Sequence, residues 1–428
     1  MKKQFCVLCV SALLFLSACT PQPATSALVQ SNAVSKADAN LPPLRFVTSD
    51  FEFSTKGNGN ENGYYYIDRG GTLAANLRYI DYATQQDIFL SAHPEGNHYV
   101  PEDESYISSV AGCGVTFPVG NALFLVRTGA PDYANQLGND ALAAIYRMEL
   151  NGADRKLLYT GGANEMLLST IATDGKNLFF IRNQTELKEN IPIQSRFLVQ
   201  LDTTTGEQKE ICALPDGAWM IGASGQSLIF HSITVKNKAE NAAPRMEHEI
   251  FAYSLETQNL STVQSWSSAE NKTALVFQNN CITVNADTKE LTVTEISTGK
   301  IIATHSLAQF MTAENKNIWF QGCHDNHFYF FDWSVQQLCA IDLVSGEGKY
   351  ITMTYLDPDK QEQRPVEIYA ETDTDFLICY DKKILPRNYP APDGTMETIE
   401  VSQPQFALIA KADYWNSVAN YKQVTLHE

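Results

Sequence analysis

Apolar and polar positions alternate along this chain in short bursts, and the bursts recur in a fixed order. Met166 to Leu214 gives the pattern most cleanly. A first apolar run is Met166-Leu167-Leu168-Ser169-Thr170-Ile171, followed by a turn at Asp174-Gly175-Lys176-Asn177. A second is Leu178-Phe179-Phe180-Ile181, and a third, beyond a polar loop, runs from Phe197 to Asp202. A turn at Thr203-Thr204-Thr205-Gly206 leads into a fourth run ending near Leu214. Short runs rich in aromatic and β-branched residues, bounded by Gly, Asn and Asp, predict four β-strands. Gly206 suits its turn because glycine alone takes a left-handed conformation without steric cost. No stretch carries a long amphipathic helical period.

The order then returns. Trp219-Met220-Ile221, Ser227 to Phe230 and Ile250 to Leu255 open the next unit, and Ala274 to Phe277, Cys281 to Val284 and Leu291 to Val293 the one after. Ile318 to Phe320, Phe328 to Phe331 and Leu338 to Asp342 follow, then Val366 to Tyr369, Phe376 to Tyr380, Phe406 to Ala410 and Gln423 to Leu426. Upstream, one unit runs from Val115 to Tyr159, and the first from about Leu44 to Leu90. The turns between third and fourth strands fall near Gln85, Gly152, Gly206, Gln258, Gly299, Gly346 and Asn416. Their spacing of about 55 residues is close to known propeller repeats. The expected fold is all-β, a single β-propeller with seven four-stranded blades. Six or eight blades are the neighbouring counts. Two separate β-sandwiches are the structural alternative, but a sandwich does not need this order seven times.

The N-terminus reads differently. Lys2 and Lys3 precede an apolar run from Phe5 to Leu16, twelve residues long. A membrane-spanning helix needs about 20, so this run has the length of a signal-peptide core. Leu16-Ser17-Ala18-Cys19 follows. It resembles the bacterial lipobox, in which small residues fit a narrow peptidase cleft and the cysteine thiol takes up a diacylglyceryl group. That resemblance implies cleavage after residue 18, lipidation of Cys19 and a location outside the cytoplasm. Several acyl chains anchor stably where one holds marginally. Residues 20–43 are rich in Ala, Ser, Thr, Pro, Asn and Gln, a composition that forms a tether rather than a core. The expected organisation is a signal over 1–18, a lipidated cysteine and tether over 19–43, and the propeller over 44–428.

Charge narrows the partners. The formal net charge is −18, and loss of Lys2 and Lys3 with the signal takes it to −20. An acidic surface argues against nucleic acid and against adhesion to anionic lipid. Of nine cysteines, Cys6 and Cys9 leave with the signal and Cys19 carries the lipid. Cys113, Cys212, Cys281, Cys323, Cys339 and Cys379 remain. Several sit inside apolar runs and read as buried free thiols packed as small hydrophobes; spacing alone does not assign a pairing.

The segment Ile145-Tyr146-Arg147-Met148-Glu149-Leu150-Asn151-Gly152-Ala153-Asp154-Arg155-Lys156-Leu157-Leu158 resembles a bacterial family of lipoprotein-receptor-like β-propellers, whose repeats read IYRM-x-LDG-x-x-xKKL. Gly63 to Asp68 resembles the strand before such a segment. Leu201 to Gly206 and Ile341 to Gly346 look more like the LD-x-x-TG hairpins of outer-membrane assembly lipoproteins and quinoprotein propellers. Some relatives of the first kind carry C-x-x-P-x-C-x-H after the first blade. Here Pro94 and His98 match that segment, while Ser91 and Gly96 stand at the cysteine positions. The resemblance implies a fold and an exported location, and no reaction.

Two clusters hold metal-type ligands. Gly322-Cys323-His324-Asp325-Asn326-His327 offers a thiol, two imidazoles and a carboxylate, yet it falls where the other units place the turn between strands one and two. His93 and His98, with Glu102, Asp103 and Glu104, lie in a connection between blades and read as a charged loop. Neither supplies three or four well-spaced ligands, so no metal site and no cofactor is expected. No serine elbow is present, and no carboxylate pair stands out. Loop length is the better signal. Loops joining strands two and three, and those leading to the next blade, emerge on one face. The long ones run over Thr128 to Asp140, Asn183 to Gln194, Val235 to Glu247, Asp381 to Gln403 and Ser91 to Ala111. Long loops on a rigid scaffold carry binding, and Tyr133, Arg387 and Tyr389 within them are favoured contact types. The expected role is binding of an envelope protein, a peptide or a glycan. A scaffold subunit of an envelope assembly machine, or an enzyme working at the channel mouth, are the alternatives.

Overall fold

The second strand of blade three is apolar without a break from Leu178 to Ile181, and the structure shows why. In the computed structural model, Leu178 and Phe180 pack with the preceding sheet, while Phe179 and Ile181 pack with the following one. Alternate side chains of a strand point to opposite faces, so a sheet buried on both faces needs an unbroken apolar run. Phe328 and Phe330 against Tyr329 and Phe331 repeat the division further on.

The described residues are 42–47, 57–68, 75–93, 96–107, 113–189, 191–236, 245–311, 319–332, 335–390 and 395–427. Cys19 and the tether before Pro42 lie outside them. Seven four-stranded antiparallel sheets follow one another in chain order. Their second strands are Gly63–Asp68, Ala122–Arg127, Asn177–Lys188, Ser227–Lys236, Asn280–Asn285, His327–Asp332 and Asp375–Pro390, in blades one to seven. Hydrophobic clusters fill each gap between consecutive blades. A seventh joins blade seven to blade one through Leu377, Cys379, Phe406 and Leu408 against Tyr64, Tyr66 and Ile80. Sheets with a filled gap on every side form a closed ring, the seven-bladed β-propeller that the repeat predicts.

The turns between third and fourth strands fall as expected in blades one to six, whereas the connection near Asn416 in blade seven holds a short helix, Lys411–Trp415. Asp202 Oδ1 accepts from the backbone N–H groups of Thr204 at 2.9 Å and Thr205 at 2.8 Å. Asp342 does the same for Val344 and Ser345. Left-handed residues close these turns, among them Gln85, Gly206, Gln258, Gly299 and Gly346. Each of several such turns leans on the outer strand of the blade before it. A Cβ on Gly346 would stand 2.3 Å from His305 Nδ1, and the His305 ring is itself held 2.9 Å from the Leu343 carbonyl oxygen.

Three features depart from the simple repeat. Leu44 and its neighbours do not open blade one. Instead Arg45–Phe46 pairs with Ala172 and Thr173 on the inner strand of blade three. The Arg45 guanidinium reaches Pro118 O at 3.3 Å on blade two, and Leu44 N–H donates to Gly225 O on blade four. The last apolar run divides in two. Lys422–Gln423 completes blade seven, whereas Thr425–Leu426 runs parallel to Gln86 and Asp87 on the outer edge of blade one. Arg78, fully buried, pins that end: its guanidinium donates to Asp87 Oδ1 at 2.9 Å and to His427 O at 2.7 Å. Finally, a hairpin of Thr354–Asp357 and Glu362–Pro365 fills the connection between blades six and seven.

Candidate functional site

Consecutive antiparallel strands reverse direction, so connections between strands two and three share one face of the ring. The turns between strands one and two, and three and four, share the other. The second face is built from tight turns and, in blade seven, from a connection holding the short helix Lys411–Trp415. On the first face, three of the expected long loops are not loops. In blade three the second and third strands continue as Asn177–Lys188 and Ile191–Asp202; in blade four as Ser227–Lys236 and Arg245–Ser254; in blade seven as Asp375–Pro390 and Met396–Ala410. These arms outgrow their sheets. The inner strand of blade three pairs only as far as Gln184, and its outer strand only as far as Arg196. Glu186 to Lys188 and Ile191 to Ile193 therefore pair only with each other in the ladder, while the Thr185 N–H still donates to the Asn164 carbonyl at 3.0 Å.

The arms keep strand-type alternation to their ends and carry apolar side chains into solvent. Leu187 is 73% exposed. Ile191, Ile193, Val235, Met246, Ile384 and Met396 are exposed as well. Val235 and Met246 form a directly opposed pair at the end of the blade-four arm. Single exposed apolar residues are ordinary on protein surfaces, whereas a grouping on one face marks a contact region.

Blade two caps its second and third strands differently, with short helical turns over Pro131–Tyr133, Ala134–Leu137 and Gly138–Ala141. Arg127 holds that segment through Asp140 Oδ1 at 2.8 Å and the Leu142 carbonyl at 2.9 Å. Tyr133 lies on it, 48% exposed. Arg387 is on the blade-seven arm and is buried, its guanidinium 2.5 Å from Asp68 Oδ2 on blade one. Tyr389 lies two residues further along the same strand. Tyr133 and the Arg387–Tyr389 pair thus belong to separate blades of the same face. Lys382, nearer the base of the arm, reaches Asp357 Oδ2 at 3.1 Å on the inserted hairpin. Burial works to raise the Asp357 pKa, but the hydrogen bond and charge of Lys382 hold it below the usual carboxylate range.

The histidine clusters are tied into the fold. Asp325 and Asn326 both adopt left-handed backbone and form the tight turn between strands one and two of blade six. His324 Nδ1 is 3.1 Å from Glu371 Oε2, and Lys411 Nζ is 2.7 Å from the other oxygen of that carboxylate. Trp415 donates to Asp325 and stacks on His327 at 4.2 Å. The segment stitches blade six to blade seven. Burial opposes ionisation of Glu371, yet His324 and Lys411 together hold its pKa at about 2. His98 stacks on Phe89 at 4.1 Å and sits 3.0 Å from Asp103 Oδ2. Ser91, at one of the cysteine positions of the resembled segment, donates to Asp103 at 2.8 Å. Among the described residues, no group of three or more His, Cys, Asp or Glu side chains is arranged to hold a metal ion. Cys212, Cys281, Cys323, Cys339 and Cys379 are free thiols. Burial raises all five, Cys212 and Cys281 to about 11 and Cys379 to about 12. They are protonated and inert at neutral pH.

Sequence reasoning took the arms of blades three, four and seven for loops. It also passed over His231 and His248, which sit on neighbouring strands and meet only once the register of blade four is known.

No protein-family model matches the chain, and no curated protein matches it. Solved structures do. An oligogalacturonate lyase in complex with manganese aligns over 84% of this chain and 90% of its own, with 12% identity and a TM-score of 0.45. The acylaminoacyl peptidase of Pyrococcus horikoshii aligns over 87% of this chain and 52% of its own, at 9% identity and 0.47. TolB from Acinetobacter baumannii aligns over 80% of each chain, at 12% identity and 0.30. At such values these likenesses carry no argument about activity. The class is defined by the chain's own strand order and filled gaps: a seven-bladed β-propeller of four-stranded sheets.

Proposed function

We propose that this chain is an exported lipoprotein, held at a membrane through acyl chains on Cys19, whose propeller binds an envelope protein, peptide or glycan through its long-arm face. A protein partner is favoured. The observation that supports this reading is the asymmetry between the faces: short turns and one short helix on one side, and on the other three β-arms with exposed apolar side chains. Those exposed apolar side chains gain from being covered by a partner, since burial is worth about 25 cal/mol per Å². Tyr133 and the blade-seven arm bearing Arg387 and Tyr389 belong to the same face.

The test is site-specific photocrosslinking in intact cells. A crosslinker at Leu187 or Met396 is expected to trap one discrete protein partner. The control position is Val344, 79% exposed in a tight turn on the opposite face; it is expected to trap none. Equal trapping from both faces, or none from the arms, removes the protein-binding reading. Replacement of Cys19 by Ser separately tests the anchor: the protein is expected to leave the membrane fraction with its propeller folded.

A further inference from the structure

Blade four brings together two histidines that lie apart in the sequence. His231 is on the second strand, opposite Ile250, and His248 is on the third, opposite Ile233. They are diagonal neighbours on one face of the sheet, a separation that long side chains bridge. His231 Nε2 stands 3.2 Å from His248 Nδ1. Aromatic rings enclose the pair: Trp219 lies 4.4 Å from the His231 ring, and Trp266 stacks on His248 at 5.1 Å with an interplanar angle of 9°. His231 is buried and His248 half-buried.

Burial, reinforced by the neighbouring His248, lowers the His231 pKa to about 4, and burial also lowers that of His248. Both rings are therefore neutral at pH 7; the facing nitrogens share one proton in a hydrogen bond, and an ion between them would move that proton to the other nitrogen of its ring, leaving each facing nitrogen a lone pair. The spacing suits that use. With metal–nitrogen bonds of about 2.0–2.1 Å, two nitrogens this far apart subtend roughly 100° at a shared ion, between the square and tetrahedral angles. The site has an open side. Ile250 and Trp266, on the face that carries the histidines, pack toward Cys281 of blade five. Blade five has short strands, Asn280–Asn285 and Glu290–Glu295, so the blade-four arm rises past it with Val235 and Met246 exposed above the pair.

We propose that His231 Nε2 and His248 Nδ1 form a two-nitrogen site for a divalent transition-metal ion, copper(II) in preference to zinc, with water completing the coordination on the open side. Imidazole suits both ions, and copper(II) leads the general order of affinity. Two protein ligands, rather than the three or four of closed zinc sites, make it an exchangeable site.

The adjacent tryptophans supply the readout. Copper(II) chloride titrated into the mature full-length chain in detergent is expected to quench tryptophan emission, saturating at one equivalent, and added zinc is expected to leave the quenching in place. His248→Gln is expected to abolish the saturable phase, while His324→Gln, altering a histidine on blade six, retains it. Electron paramagnetic resonance of the one-equivalent copper sample is expected to show coupling to two imidazole nitrogens. That measurement needs no variant, so a folding defect in His248→Gln does not decide the matter. Quenching that never saturates, saturable quenching that survives His248→Gln in a folded chain, or a spectrum without two imidazole nitrogens overturns the proposal.

Discussion

Gly299 and Gly346 occupy equivalent turns of blades five and six, with φ of 67° and 76°. Their surroundings differ. A Cβ on Gly299 meets nothing within 4 Å, whereas one on Gly346 runs into the His305 ring. Gly299→Ala is expected to cost about 1 kcal/mol, the ordinary penalty of left-handed backbone. Gly346→Ala is expected to cost roughly 2–3 kcal/mol, because the imidazole must also leave the Leu343 carbonyl. Urea unfolding of the two variants checks this, and equal losses would refute the packing account. Titration gives a second prediction. His231 has a folded pKa of about 4 against an ordinary 6.5. Below pH 6.5 the unfolded chain takes up a proton that the folded chain refuses, so stability falls as pH drops from 6.5 toward 4, by at most about 3 kcal/mol. Of the groups facing it, burial holds the His248 pKa down as well, and the two tryptophans carry no charge. His231→Gln is expected to flatten that part of the pH–melting profile. Glu371, lowered to about 2, governs a separate window: its contribution is complete above pH 4.5 and is lost as pH falls toward 2. At this scale the turn residues were legible in sequence, because Gly, Asp and Thr at fixed offsets answer to local backbone geometry. The histidine pair was not, since its members meet through strand register.

At the scale of the element, a four-stranded blade is self-evident from its runs, but the height of its arms is not. Asn183 to Gln194 and Asp381 to Gln403 contain charged residues, prolines and few long apolar runs, which is how loops also read. What makes them strands is continuation of a ladder already set by the buried half of each hairpin: Phe180 opposite Val199 fixes Thr185 opposite Gln194. Removing Thr185 to Gln194 and closing the hairpin with Asn-Gly is therefore expected to leave the melting temperature within a few degrees of wild type. Apart from the Thr185 N–H, which donates to the Asn164 carbonyl, these residues pair with one another and bury little of the core. The same deletion is expected to abolish crosslinking from the arm face. A collapse in melting temperature would show instead that the arm supports the ring.

For the whole molecule, the blade count followed from the repeat, and the closure did not. Two-residue strands carry almost no sequence signal, so the pairing of Arg45–Phe46 with blade three was not legible, and the run Gln423 to Leu426, readable as one strand of the last unit, did not show that its end crosses to blade one. Yet the second pairing, with Arg78 reaching His427 across 349 residues of chain, joins the two ends of the ring. Truncation after Val424 leaves the buried guanidinium short of an acceptor, a loss of about 1–3 kcal/mol, and exposes the outer edge of blade one. Faster proteolysis at the boundary of blades one and seven is the expected sign; an unchanged digestion pattern would mean that the interblade cluster alone keeps the ring shut.

The position of that closure bears on how the chain comes to exist. A polypeptide made from its N-terminus forms the strands of blade one early and receives their final partners last. Until residues 376–426 have been made, Tyr64, Tyr66 and Ile80 have no blade seven to lie against, and the edge at Gln86 has nothing to pair with. Apolar surface and an open edge are what misassembling chains share. Blade one, made first of the seven, is therefore the last to be covered.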